Sequence, residues 1–148
     1  MRLVGVFRSV LPLLAAAALV ALLFFVQFLD EAPLFAGAQS YLFYSHTASS
    51  QAEIVYADAE SAARVRRSLL GRTGESAVFA RAEDALAQAD AYGALLLFTE
   101  SAGDVTNLYY YSPRLGACVY VAGYAVNLHI ALRGEGGCVG SPLIFGGY

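Results

Sequence analysis

ACVYVAGYAVNLHIALRGEGGCVGSPLIF, residues 117–145, sets three apolar runs around two turn signals. The runs are Ala117 to Ala122, Ala125 to Arg133 and Cys138 to Phe145. A two-residue hairpin loop at Gly123-Tyr124, with glycine first as a type II′ turn wants, fixes the first register. Ala122 then faces Ala125, Val121 faces Val126, Val119 faces Leu128 and Cys118 faces His129. A loop at Gly134 to Gly137 fixes the second, with Arg133 facing Cys138, Leu132 facing Val139, Leu128 facing Leu143 and Val126 facing Phe145. The two registers sort the side chains. One face collects Val119, Val121, Val126, Leu128, Ile130, Leu132, Val139, Leu143 and Phe145. The other collects Cys118, Tyr120, Asn127, His129, Arg133 and Cys138. A slip of one residue would scramble both faces. Pro142 cannot donate to a ladder, so the last strand is expected at a sheet edge.

Upstream, Gln51 to Tyr56 reads as a first strand and Asp58 opens a helix through Leu70. Asp58 suits the N-cap, Glu60 the first turn, Arg66 and Arg67 the last, and Gly71 the stop. Its apolar stripe is Ala62, Val65, Leu69 and, at its end, Leu70. Glu75 to Ala80 is a second strand and Glu83 to Tyr92 a second helix, ended by Gly93. Ala94 to Glu100, ALLLFTE, is nearly all apolar and is expected to be a strand buried on both faces. A turn at Gly103-Asp104 leads into Val105 to Tyr111, and Pro113 breaks that strand. The fold class expected is α+β: a mostly antiparallel sheet with two helices on one face, in two layers.

At the other end of the chain, Ser9 to Leu29 is 21 residues without a charge. A bilayer-spanning helix needs roughly 20. Arg2 and Arg8 precede the run, and Asp30 and Glu31 follow it. The positive-inside rule therefore expects residues 1–8 in the cytoplasm, a transmembrane helix at 9–29, a linker at 30–50 and an extracytoplasmic domain at 51–148. The aromatics from Tyr41 to Tyr44 are expected at the headgroup level, and His46 in the linker is expected to be solvated. The A-x-A pattern at Ala36 to Ala38 leaves a second localisation open, secretion after cleavage near Ala38.

The part beyond Leu29 has seven Arg against twelve Asp plus Glu, net −5, and the chain has no lysine. That balance argues against nucleic acid as a partner, which needs phosphate-neutralising cations. The partners expected are the membrane, through the N-terminal helix, and a protein of the cell envelope.

Candidate chemistry is sparse. Cys118 and His129 face each other in the register above and are the one pair of catalytic types, with Asn127 on the same face. The same register sets Cys118 and Cys138 on strands about 9.6 Å apart, two strand spacings, which argues against a disulfide unless a bulge or a different strand order brings them together. The two His and two Cys lack the short paired spacing of a zinc site, so no metal and no cofactor is expected. GEGGC lacks the Lys and Ser/Thr of a phosphate-binding loop. The triple tyrosine Tyr109 to Tyr111 reads as sheet packing. What remains is a polar sheet face of Tyr120, Asn127, His129 and Arg133, the candidate interaction surface.

Val126 to Gly134, VNLHIALRG, followed by Val139 to Tyr148, VGSPLIFGGY, resembles the C-terminal end of the YwmB family, exported proteins of spore-forming Gram-positive bacteria. Asn127, Leu128, Ile130, Ala131, Leu132, Arg133, Val139, Gly140, Pro142 and Tyr148 match. His129 stands where the family usually has Gln, and Ser141 where it has Thr. The resemblance covers about 20 residues. It implies an α+β domain like the TATA-binding protein fold behind a signal or anchor, without an established enzymatic activity. It also implies an envelope role linked to sporulation or the cell wall. Three functions stay open: a non-enzymatic envelope binding domain, a membrane-complex subunit whose helix is the working part, and a small extracytoplasmic enzyme using Cys118 and His129.

Overall fold

The computed structural model describes residues 12, 14–23, 25, 32–46 and 52–146. The chain forms two compact units, Met1–Glu31 and Ala32–Tyr148. In the first, the described residues are helical, and Leu14, Leu19, Val20, Leu22, Leu23 and Phe25 are all exposed. Among the described residues no helix is long and apolar enough to cross a membrane. The remainder of the expected span 9–29, and the expected cytoplasmic residues 1–8, lie outside the described residues.

The second unit is α+β. Its strands are β1 (Ser40–His46), β2 (Ala52–Asp58), β3 (Arg72–Phe79), β4 (Leu95–Ala102), β5 (Val105–Tyr111), β6 (Val119–Val121), β7 (Tyr124–Val126), β8 (Leu128–Arg133) and β9 (Gly136–Ser141). Its helices are α1 (Ala62–Ser68) and α2 (Ala82–Ala91). Seven strands form one sheet in the order β2-β1-β3-β9-β8-β5-β4, every neighbouring pair antiparallel. β6 and β7 form a separate two-stranded ribbon.

Period-two alternation decides what each strand buries. Tyr41 and Phe43, Ala77 and Phe79, Leu128 and Ile130, Val139 and Tyr110 point to one face and form the core with Ala62, Ala85 and Ala89 of the helices. Alanines at the helix contacts let helix and sheet approach closely. α2 lies over β9, β8 and β3, and α1 over β1 and β2. The expected two-layer arrangement, both helices on one sheet face, is what the chain adopts.

Several details differ from the expectation, each for a physical reason. The expected linker 30–50 contributes a full strand, β1, between β2 and β3. Tyr41, Phe43 and Tyr44 are buried in the domain rather than set at a membrane surface. Their alternation with Leu42 is a strand signal that the small residues on either side hid. Asp58 closes β2 instead of opening α1. Its carboxylate accepts from the Ser61 amide at 2.8 Å and hydroxyl at 2.6 Å, so the helix begins one turn later.

The apolar run expected to be buried on both faces is the edge strand β4, with Leu95 67% exposed. Both helices cover the other half of the sheet, so apolarity here does not mark burial. β9, expected at an edge, lies inside the sheet between β3 and β8. It ends at Ser141, so Pro142 stops the strand instead of sitting in it.

Both hairpins are displaced by one step of the pleat. Val121 faces Tyr124 around Ala122-Gly123, and Arg133 faces Gly136 around Gly134-Glu135. Because the displacement is even, Leu128, Ile130, Leu132 and Val139 keep their shared face. Leu143 and Phe145 do not. The chain leaves the sheet after Ser141 and turns onto the opposite face, where Phe145 packs edge-on against Tyr44.

Candidate functional site

His129 stands on the sheet face away from the helices, 8% exposed. Its Nε2 lies 3.0 Å from Asn107 Oδ1, and its Nδ1 accepts from the Ile144 amide at 3.4 Å. An Nε2–H tautomer satisfies both contacts. The ring is stacked on Tyr109, with centroids 4.5 Å apart, and Tyr109 is stacked on Phe98 at 4.4 Å. Burial lowers the imidazole pKa from 6.5 to about 4. A neutral ring with both nitrogens engaged holds the returning tail to the sheet. It is not poised to take a proton from a nucleophile.

The expected opposition of Cys118 and His129 is not formed. β8 pairs with β5 and β9, whereas Cys118 precedes β6 in the separate ribbon. Cys118 is exposed, with its thiol 3.9 Å from the Gly116 carbonyl. Cys138 is buried in β9, where burial pushes its thiol up to about 11. Both are free thiols.

The expected interaction face is dispersed as well. Tyr120 is 81% exposed on the ribbon. Arg133 lies at the far end of β8, its Nε 2.9 Å from Asp104, whose carboxyl it holds below the usual range. Asn127 is fully buried and organises the loop after β5. Its Oδ1 accepts from the Ser112 amide at 2.7 Å, and its Nδ2 donates to the carbonyls of Ser112 at 2.7 Å and Leu115 at 3.2 Å. Its own amide donates to Tyr110 O at 3.1 Å, and it stands between β7 and β8, which look in sequence like one strand.

A more coherent constellation lies where the chain enters the domain. Arg66 of α1 is 6% exposed, and its Nε donates to Glu75 Oε2 of β3 at 2.8 Å. The other Glu75 oxygen accepts the Leu34 amide at 2.5 Å. Tyr92 donates its hydroxyl to Leu34 O, and Tyr41 donates to Phe35 O at 2.7 Å. Phe35 is completely buried, edge-on to Tyr92 at 6.0 Å. Residues 34–36 are thus held by Glu75 of β3, Tyr41 of β1 and Tyr92 at the end of α2, with a longer contact from Gln88 of α2 to Ala36 O, and Arg66 of α1 reaches them through Glu75.

Beside this clamp is a cavity of about 230 Å³ whose lining includes Leu34, Arg66, Arg72, Glu75 and Ser141. Sequence reasoning missed it. Arg66 looked like a helix-end cation and Glu75 like the start of a strand, and no spacing rule joins a helix to a strand across a turn. Among the described residues no group of three or more His, Cys, Asp or Glu could hold a metal ion. Comparison with protein-family models, curated proteins and solved structures finds no match to this chain.

Proposed function

We propose that this protein is a membrane-anchored domain of the cell envelope that works by binding rather than by catalysis, its N-terminal apolar segment retained and its C-terminal unit outside the cytoplasm. The observation that carries the reading is the fastening of residues 34–36. In the sequence, Asp30 and Glu31 alone separate the end of the uncharged run at Leu29 from Ala32, the first residue of the folded unit. Cleavage near Ala38 would remove Phe35, whose loss from a core costs about 3–5 kcal/mol. It would also leave Glu75 without the Leu34 amide.

Exposed apolar side chains around the described N-terminal helix support a membrane role for that segment. The likeness of the C-terminal motif to the YwmB family supports an envelope setting, with sporulation or cell-wall work as the context. Within the fold, the motif residues Asn127, Leu128, Ile130, Val139 and Gly140 close the sheet and seat the tail, so their likeness speaks for architecture and not for a ligand.

Mass spectrometry of the chain recovered from membranes tests the reading. An intact N-terminal segment is expected. A mature form beginning at Gln39 would overturn it.

A further inference from the structure

The seven-stranded sheet ends at β2 on one side and at β4 on the other. An edge strand presents unpaired backbone donors and acceptors, and folded proteins guard it with a bulge, a proline or a lysine. β4 carries a bulge between Leu96 and Phe98. β2, AEIVYAD, has neither proline nor lysine, and it pairs with β1 in one unbroken register from Ala52↔His46 to Asp58↔Ser40. Among the described residues no strand pairs with its outer side.

The side chains of this edge are apolar at its middle. Ile54 is 51% exposed and Tyr56 65%. The register sets Ile54 beside Tyr44 and Tyr56 beside Leu42, on the sheet face away from the helices, where Phe145 packs on Tyr44. Val55 is beside Phe43, on the core face. A hollow of about 260 Å³ opens next to Ile54, with Tyr44, Thr73 and Phe145 also in its wall.

The order of residues along β2 is self-complementary. Set antiparallel to itself about Val55, the strand brings Ala52 opposite Asp58, Glu53 opposite Ala57 and Ile54 opposite Tyr56. Each carboxylate then meets an alanine, and the two exposed apolar residues meet each other. A slip of one residue sets Glu53 opposite Asp58, and like charges directly opposite are destabilising. The Val55-centred pairing has the symmetry of a two-fold axis normal to the sheet, so like faces join and the same patch serves both copies. Tyr56 of one copy then stands beside Ile54 of the other, at the hollow.

We propose that a second copy of this chain pairs on β2, antiparallel and centred on Val55, so that the sheet runs on from one protomer into the next. The pairing strands belong to the Ala32–Tyr148 unit, so the interface does not rest on retention of the N-terminal segment.

The test uses the full chain in a neutral detergent, with Cys118→Ser to remove the exposed thiol. One version also carries Ile54→Cys and another Tyr56→Cys. Positions directly opposite have Cβ atoms about 4.5–5.5 Å apart, close enough to bridge with a small shift, whereas the same position in two copies is diagonal, about 7–8 Å away and out of range. Mild oxidation of the two versions mixed is expected to give a linked dimer of one of each, and each version alone is expected to stay largely unlinked. In sedimentation the native chain is expected at the mass of a dimer, and Ile54→Lys with Tyr56→Lys, which sets cations opposite each other, is expected to shift it to a monomer. A native chain that sediments as a monomer, a dimer that the lysine pair leaves intact, or a mixture that links no better than either version alone would each overturn the interface.

Discussion

His129 binds the tail through an imidazole that must stay neutral, and this gives the fold a pH dependence with a definite sign. Its pKa is about 4 in the folded protein against 6.5 for the free group. Between those values the unfolded chain takes up more protons, so stability rises with pH through the window and is lost as pH falls from about 6.5 toward 4. The full difference is about 3 kcal/mol. Urea unfolding at about pH 7 and pH 4.5 should show most of that loss in the native chain. His129→Gln, which can still donate to Asn107 and accept from the Ile144 amide, should lose much less. Equal losses in the two proteins would contradict the assignment. Ala122 makes a second residue-level prediction. It has φ +50° in the β6–β7 turn, followed by Gly123 at +85°, a conformation that costs an alanine about 1 kcal/mol. Ala122→Asn creates the Asn-Gly pair such turns favour and should raise stability by about 0.5–1 kcal/mol in the same urea assay.

Strands and helices were legible in the sequence wherever the alternation was long and bounded by glycine. α2, β5 and the shared face of Leu128, Ile130, Leu132 and Val139 all follow from period alone. β1 was hidden because SYLFYSH sits among small polar residues and close to an apolar run that draws attention to the membrane. β4 was misjudged because LLLF is as greasy as a central strand although β4 is an edge strand with Leu95 and Leu96 exposed. Its bulge between Leu96 and Phe98 interrupts the ladder at a sheet edge, one of the ways edges are blunted against unwanted pairing. The tail after β9 was least legible, since nothing local says that a chain leaving a strand at Pro142 will fold back across it. At Gly140 a Cβ would come within 2.8 Å of Leu143 and Ile144. Gly140→Ala should therefore push the tail from the sheet, costing about 1–3 kcal/mol and speeding exchange of the Ile144 and Phe145 amides. Unchanged exchange at those two amides would show that the tail does not depend on this contact.

At the scale of the molecule, the two features that sequence could not pair, the buried Arg66–Glu75 bridge and the held residues 34–36, are one structure. Arg66→Ala would strand Glu75 as a buried unpaired charge and should cost about 3–5 kcal/mol in urea unfolding. The bridge and the Leu34 amide together tie the entry of the chain to α1 and β3, which is why the proposed anchor is read as a lasting part of the protein. The cysteines allow the proposed topology to be tested without adding any label site. Cys118 is exposed, whereas Cys138 is buried with its thiol pushed up to about 11. The decisive measurement is labelling of intact, expressing cells with a membrane-impermeant maleimide, followed by mass analysis of the membrane-bound chain. The account predicts one label, on Cys118, carried by a chain that retains its N-terminal segment. A chain that labels only after the cells are opened, or a labelled chain that begins at Gln39, would contradict it.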